Sequence, residues 1–230
     1  MDCKVKEITG GVRVLYEDNH IITAIKPAGV LSQSDGSGSP DMLTILKEYI
    51  KIEYSKPGEV YLGLVHRLDR PVSGVMVFAR TSKAASRLSE QIRNRRVEKI
   101  YRCVVDGVLD GEGRLENYIS KDGDSNTVTV IDTEKSGFKV SFLDYKALDH
   151  RDGLTLTEVK LGTGRSHQIR AQMAHAGFPL VGDQKYGKRD SRCKDIALEA
   201  YKLSFEHPVK RELMTFEAPV PSGFPWSLFA

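Results

Sequence analysis

The sequence predicts an α+β fold built mainly from antiparallel strands. Three observations point there. Seven short strand-like runs are interspersed with only three helical ones, two neighbouring strand pairs are joined by tight turn residues, and there is neither an internal repeat nor a long linker.

Val12–Tyr16 and Ile21–Lys26 read as strands around the turn residues Asp18 and Asn19, followed by a Pro27-Ala28-Gly29 break. The polar stretch 32–40 is a loop. Ser39 is the expected N-cap of a helix with Pro40 at its first position and Met42, Leu43, Leu46, Tyr49 and Ile50 at helical spacing. Val75–Ala79 is a short apolar strand. Ser82 is the expected cap of a second helix, with Ala84, Ala85, Leu88 and Ile92 in one apolar stripe. Lys99–Val105 alternates as a strand and ends at Asp106-Gly107. From Phe138 two strands are joined by Asp152-Gly153, a hairpin signal. Ser166–Ala176 reads as a helix stopped by Gly177, and Ile196–Phe205 as a last strand before a Pro-rich tail.

At 230 residues the chain makes one large domain or two small ones. Ordinary hydrophobic (40%) and charged (28%) fractions exclude a disordered or fibrous chain. No apolar run approaches the roughly 18 residues of a membrane helix. The N-terminus lacks a signal peptide's apolar core, so a cytoplasmic protein is expected. Cys3, Cys103 and Cys193 are odd in number and without CxxC spacing, which excludes a disulfide framework and a zinc ribbon.

The formal net charge is only +3, but it is unevenly spread. Residues 80–102 hold Arg80, Lys83, Arg87, Arg93, Arg95, Arg96, Lys99 and Arg102 against Glu90 and Glu98, while the remainder carries 26 basic and 29 acidic side chains. A local cationic cluster sets affinity for a polyanion through counterion release, whereas an isolated one is as readily a solvated helix face.

Two segments concentrate candidate chemistry. In VHRLDRPVSGVMVFAR (65–80), Asp69 stands between Arg67 and Arg70, cations that favour an ionised carboxylate. The competing reading is a surface turn with a local ion pair. Val72 breaks any G-x-S-x-G elbow around Ser73, so a hydrolase nucleophile is not expected. In LGTGRSHQIRAQMAHAGFPLVGDQKYG (161–187), Arg165 follows a glycine turn at a helix start, a place that attracts anions. His167 and His175 are eight apart, which is not a metal-ligand spacing, and no metal is expected. Tyr101 lies in the strand after the basic run, where an aromatic beside phosphate-binding side chains can stack on a base, although a strand tyrosine is more often core. A two-carboxylate glycosidase with Asp69 and Asp183 also stays open. These residues alone reach as far as a nucleic-acid-binding enzyme with one privileged carboxylate.

HRLD followed by Ser73-Gly74, then KIYRCVVDG, then GRSHQIR with GFPLVGDQKYG, resembles the RluA family of RNA pseudouridine synthases. Weaker similarity runs from YEDNHIITAIKPAGV (16–30) to LSFEHPV (203–209). The resemblance implies a pseudouridine synthase fold, with a mainly antiparallel central sheet in two halves, flanking helices and a cleft between the halves. It implies that Asp69 is the catalytic aspartate, that Tyr101 stacks on the target base and handles the proton lost from carbon 5, and that Arg165 pairs with the aspartate. The target uridine would be flipped out of its RNA. Its glycosidic bond breaks, the uracil turns, and a carbon–carbon bond forms to the same ribose, by a route that leans toward a glycal. No metal or cofactor is implied. Arg67, Arg93, Arg95, Arg96, Lys99 and His167 are the expected contacts to a structured tRNA or ribosomal RNA.

Val72, Cys103, Ser166, Gln172 and Glu199 depart from the commonest family pattern. The similarity begins at about Val12 and spans nearly all of the chain. A single catalytic domain over 1–230 is therefore expected, monomeric and without a separate N-terminal RNA-binding module. An RNA-binding protein that keeps this fold without depending on isomerisation is the competing class.

Overall fold

The computed structural model describes residues 5–123 and 125–230, so Cys3 lies outside the described residues. The strands are β1 (Lys6–Ile8), β2 (Val12–Glu17), β3 (Ile21–Lys26), β4 (Gly63–Leu64), β5 (Ser73–Ala79), β6 (Glu98–Asp106), β7 (Glu112–Lys121), β8 (Val128–Ile131), β9 (Lys139–Arg151), β10 (Leu154–Leu161), β11 (Leu198–Glu206) and β12 (Leu213–Glu217). Among the described residues three α-helices accompany them: α1 (Met42–Glu53), α2 (Ser82–Arg93) and α3 (Gln168–His175). The α+β class with mainly antiparallel strands is as expected. No helix among the described residues is long and apolar enough to cross a membrane.

The chain folds as two compact units, Met1–Glu98 with Ala200–Ala218, and Lys99–Glu199 with Pro219–Ala230. In the first unit β1, β2, β3, β5 and β11 lie side by side, with β4 on β5 and β12 on β11. Asp18 builds the β2–β3 turn by accepting the amides of His20 (2.8 Å) and Ile21 (2.9 Å). One layer of the core joins Ile21, Ile25, Val75, Val77, Leu203 and Phe205 of the strands to Ala84 and Leu88 of α2. The apolar stripe of α2 thus faces the sheet as its spacing requires. Gln91 joins that buried face because its amide donates to Glu206 O (2.8 Å) and accepts the Glu206 amide (3.0 Å).

The second unit orders its strands β6-β10-β9-β7-β8, every pair antiparallel. Asp152 and Gly153 both take positive φ (53° and 75°) in the β9–β10 hairpin, the twist-matched geometry that this dipeptide favours. Ile119, Val128 and Ala171 pack together, which seats α3 against β7 and β8.

Three helix starts differ from expectation. The cap of α1 is Asp41, not Ser39: its carboxylate accepts the Thr44 amide (3.1 Å) and hydroxyl (2.7 Å), and Met42 opens the helix. Thr81, not Ser82, caps α2 through the Ala84 amide (3.1 Å). The third helix opens two residues late, because His167 adopts a left-handed φ of 52°. The Pro-rich tail is preceded by β12, and the segment between Gly107 and Phe138 forms β7 and β8.

Candidate active site

In the first unit, Asp69 lies in the loop between β4 and β5, half-buried, with Leu68 buried beside it and Arg67 exposed. The loop is held from several directions. The Ser32 hydroxyl donates to Leu68 O (2.8 Å) and accepts the Leu68 amide (3.0 Å). The Gly29 amide donates to Arg70 O (2.8 Å), and Arg70 Nε returns a bond to Gly29 O (3.1 Å). The Val72 amide closes a turn on Asp69 O (3.1 Å). His66 Nε2 accepts the Val77 amide (3.1 Å), so that nitrogen carries no proton.

Beneath the loop lies Lys26, fully buried at the end of β3. Its ammonium donates to Pro27 O (2.9 Å), Val30 O (2.6 Å) and Arg70 O (3.1 Å). A buried ammonium is tolerated only when its donors are satisfied, and three carbonyls from two separate segments do this. Gly74 follows for a steric reason: with φ of 129°, a Cβ there would sit 2.3 Å from Ala200 O of β11. The small residue after the aspartate therefore serves strand packing.

In the second unit, Tyr101 lies on β6 opposite Val159 of β10, 8% exposed. Strand alternation puts Lys99, Tyr101 and Cys103 on one face. Burial lowers the pKa of Lys99 and pushes the Cys103 thiol up to about 12, which keeps that sulfur inert.

Arg165 is exposed on the turn that leads into α3. Gly162 is required there, because a Cβ would fall 1.8 Å from the Phe142 ring of β9. Phe142 O receives the amides of Gly162 (3.2 Å) and Thr163 (3.3 Å), and the Phe142 amide donates to Thr163 Oγ1 (3.1 Å). His167 Nδ1 bonds the Tyr186 hydroxyl (2.8 Å), which also accepts the Val128 amide (2.8 Å). Arg165 and His167 thus share one turn beside the β7–β8 hairpin.

The basic run 80–102 does not form one exposed face. Arg80 turns inward to donate to Asp18 O (2.7 Å) and covers the Tyr54 ring at 4.6 Å. Arg87 donates to Pro208 O (2.6 Å). Arg93, Arg95 and Arg96 are exposed where α2 ends, with Arg95 in the left-handed region (φ 56°) and Arg96 3.7 Å from Glu90.

A family model described as RNA pseudouridylate synthase matches residues 20–175. The chain belongs to the RNA pseudouridylate synthase family. Members of this family are isomerases that act on uridine in RNA, and the matched span holds Asp69, Tyr101 and Arg165. The chain is 35% identical over 234 residues to the ribosomal large subunit pseudouridine synthase D of Pseudomonas aeruginosa, covering 94% of this chain and 71% of that protein. It is 36% identical over 221 residues to the enzyme of the same name from Neisseria meningitidis serogroup A, covering 90% of this chain and 58% of that one. Against the latter, therefore, it spans little more than half the relative's length. The solved human RNA pseudouridylate synthase domain containing 4 superposes with a TM-score of 0.78 at 23% identity, over 94% of this chain and 91% of that one, a likeness of fold.

Three features of this family member had no signal in its sequence. Lys26 closes an expected strand, and nothing in the sequence marks it as buried. Gln168 and Gln172 read as the polar side of a short helix, yet both are buried. Asp183, open as a second catalytic carboxylate, is instead gripped by Arg170 through two 2.8 Å bonds and accepts the Lys185 amide (2.9 Å). Burial opposes its ionisation, but the guanidinium and the amides outweigh that and lower its pKa. A carboxylate with its oxygens so engaged is a structural anchor, which removes the glycosidase pairing.

Proposed function

We propose that this chain converts uridine to pseudouridine in ribosomal RNA, with Asp69 as its catalytic group, Tyr101 and Arg165 as its partners in the reaction, and both compact units acting as one catalytic domain. The observation that carries this reading is the family match over residues 20–175, which contains all three. The names of the similar Pseudomonas and Neisseria proteins favour ribosomal RNA over tRNA.

The reaction moves one bond within one substrate and is redox-neutral, so it needs no second substrate or cofactor. Asp69 acts ionised, either on the sugar carbon or as a base on a ribose proton. Tyr101 restrains the detached uracil while it turns and manages the carbon 5 proton. Exposed Arg67, Arg93, Arg95 and Arg96 supply phosphate contacts. Lys99, less readily charged because of burial, and His167 contact the substrate near the reacting base.

Mapping pseudouridine across total RNA from cells with and without this gene tests the reading. One or a few ribosomal sites should lose the modification and regain it with the wild-type gene but not with Asp69→Asn. Loss confined to tRNA would move the substrate. An unchanged map, or full activity from Asp69→Asn, would sink the function or the assigned mechanism respectively.

A further inference from the structure

Behind Arg165 runs a line of buried side-chain amides. The Arg165 amide donates to Gln168 Oε1 (3.0 Å), and the Thr163 hydroxyl donates to the same oxygen (2.8 Å). Gln168 Nε2 donates to Phe142 O (3.0 Å) and to Gln172 Oε1 (3.0 Å). Gln172 Nε2 donates to Asn117 Oδ1 (2.7 Å), and Asn117 Nδ2 to the Asp132 carboxylate (2.8 Å), which also meets His175 Nε2 (2.9 Å).

The orientation of every amide is determined by a group that can only accept. Phe142 O requires the nitrogen of Gln168 on its side. Ser141 O (3.3 Å) and Leu115 O (3.4 Å) do the same for Gln172. Asp132, whose pKa is lowered by His175 and then by Asn117, does so for Asn117. All three carboxamides therefore point their oxygens toward Arg165 and their nitrogens toward a carboxylate. Dipoles aligned in one direction polarise one another, and a buried network satisfied in this way admits a single geometry.

The far end of this line is a surface ion pair, and the near end is the backbone of one residue. Two polar groups of the Gly162–Arg165 turn hang on a single side-chain oxygen. Stability alone does not require this, since apolar packing of similar volume serves a core as well as buried polar groups do. The line fixes where the Arg165 side chain leaves the backbone, and so limits the positions that its long, exposed chain can take.

We propose that Gln168, held in register by Gln172 and Asn117, is the positioning residue for Arg165. This rests on the reading of Arg165 as a group in the reaction. Gln168→Leu keeps the volume but releases the Arg165 amide and the Thr163 hydroxyl. With the full-length protein and ribosomal RNA from cells lacking the gene, Gln168→Leu should lower kcat by about 10- to 100-fold, the scale of a misplaced catalytic group, with KM nearly unchanged. In an Arg165→Lys background the same substitution should cost nothing further, because the group it positions is already compromised. Gln172→Met breaks the next link and should show a smaller kcat loss with the same non-additivity. It carries the test should Gln168→Leu fail to fold. Losses that multiply in the double variants, or that fall on KM, would overturn the inference while leaving Arg165 in its role. Full kcat from Arg165→Lys, or an inactive wild type, would overturn the reading of Arg165 and this inference with it.

Discussion

The two units hold the Asp69 loop and the Arg165 turn by different physics. In the first, a single buried cation, Lys26, gathers carbonyls from residues 27, 30 and 70 and so ties the Asp69 loop to the end of β3. In the second, a line of neutral amides through Gln168, Gln172 and Asn117 ends under Arg165. Net charge divides the same way, with 18 basic and 15 acidic residues in the first unit and 16 of each in the second. A charge that is itself the fastener fails as a whole when removed, whereas an amide line loses its links one at a time.

The largest expected effect follows from that contrast. Lys26→Met keeps most of the side-chain volume but takes the ammonium from Pro27 O and Val30 O, while Arg70 O keeps the Gly29 amide. At about 1–3 kcal/mol for each buried unsatisfied acceptor, the loss should reach roughly 3 kcal/mol or more, read as a lower urea midpoint. Pseudouridine formation should fall with it, because the Asp69 loop loses its anchor. Gln172→Met in the second unit should destabilise by distinctly less. Equal losses would remove the distinction between the two fasteners.

One close-approach glycine from each unit sharpens the contrast next. An alanine at Gly74 would press on the backbone of Ala200 at 2.3 Å from a φ of 129°, and no side-chain motion relieves either fault. An alanine at Gly162 would meet the Phe142 ring, which can rotate away at the expense of its stacking with Arg114 (4.2 Å). Gly74→Ala should therefore lower thermal stability by more than Gly162→Ala, whose loss should stay within the ~1–3 kcal/mol of an overpacked site. The reverse order would show that the turn before α3 is the more rigid of the two.

These cases also show which parts of the molecule are legible in its sequence. β2, β3 and the β9–β10 hairpin could be read because β-branched runs and Asp152-Gly153 act locally. β7 and β8 could not: in GRLENYISK the buried positions include Asn117, a polar residue whose burial is satisfied only by Gln172 and Asp132, distant in sequence. Ser39-Pro40 satisfied the rules for a helix start, yet Asp41 supplied two acceptor oxygens two residues closer to the helix. Asp69, Tyr101 and Arg165 stand out because their motifs are contiguous. Lys26 does not, since one of its carbonyls comes from Arg70, 44 residues away.

A smaller effect tests the charge asymmetry. Replacing Arg93, Arg95 and Arg96 with alanine removes the exposed cations at the end of α2. RNA binding should weaken, and the slope of log affinity against log salt should flatten by about one for each phosphate that is no longer neutralised. An equal alanine triple in the second unit, at exposed Lys188, Arg189 and Arg192, should change the slope less. Equal slopes would mean that net charge per unit does not identify the RNA-binding side.

The finest distinction is in acid response. His207 of the first unit is fully buried, donates Nε2–H to Asp18 (3.0 Å), and accepts the amides of Val209 (3.2 Å) and Lys210 (2.8 Å) at Nδ1. Burial lowers its pKa from 6.5 despite the Asp18 carboxylate. The folded form refuses a proton that the unfolded chain accepts, so this contribution is complete above pH 6.5 and is lost as pH falls toward the folded value. Asp183 and Asp132 of the second unit are lowered from 3.8, so theirs is present above that pH and lost only as pH falls below it. As pH falls below 6.5, amide exchange should therefore quicken around the β2–β3 turn and residues 207–210 while α3 stays protected, and only below pH 3.8 should the second unit follow. His207→Gln keeps an Nε2–H donor for Asp18 without a titrating ring and should abolish the first step alone. A mildly acidic step that persists in this variant would assign it to another group.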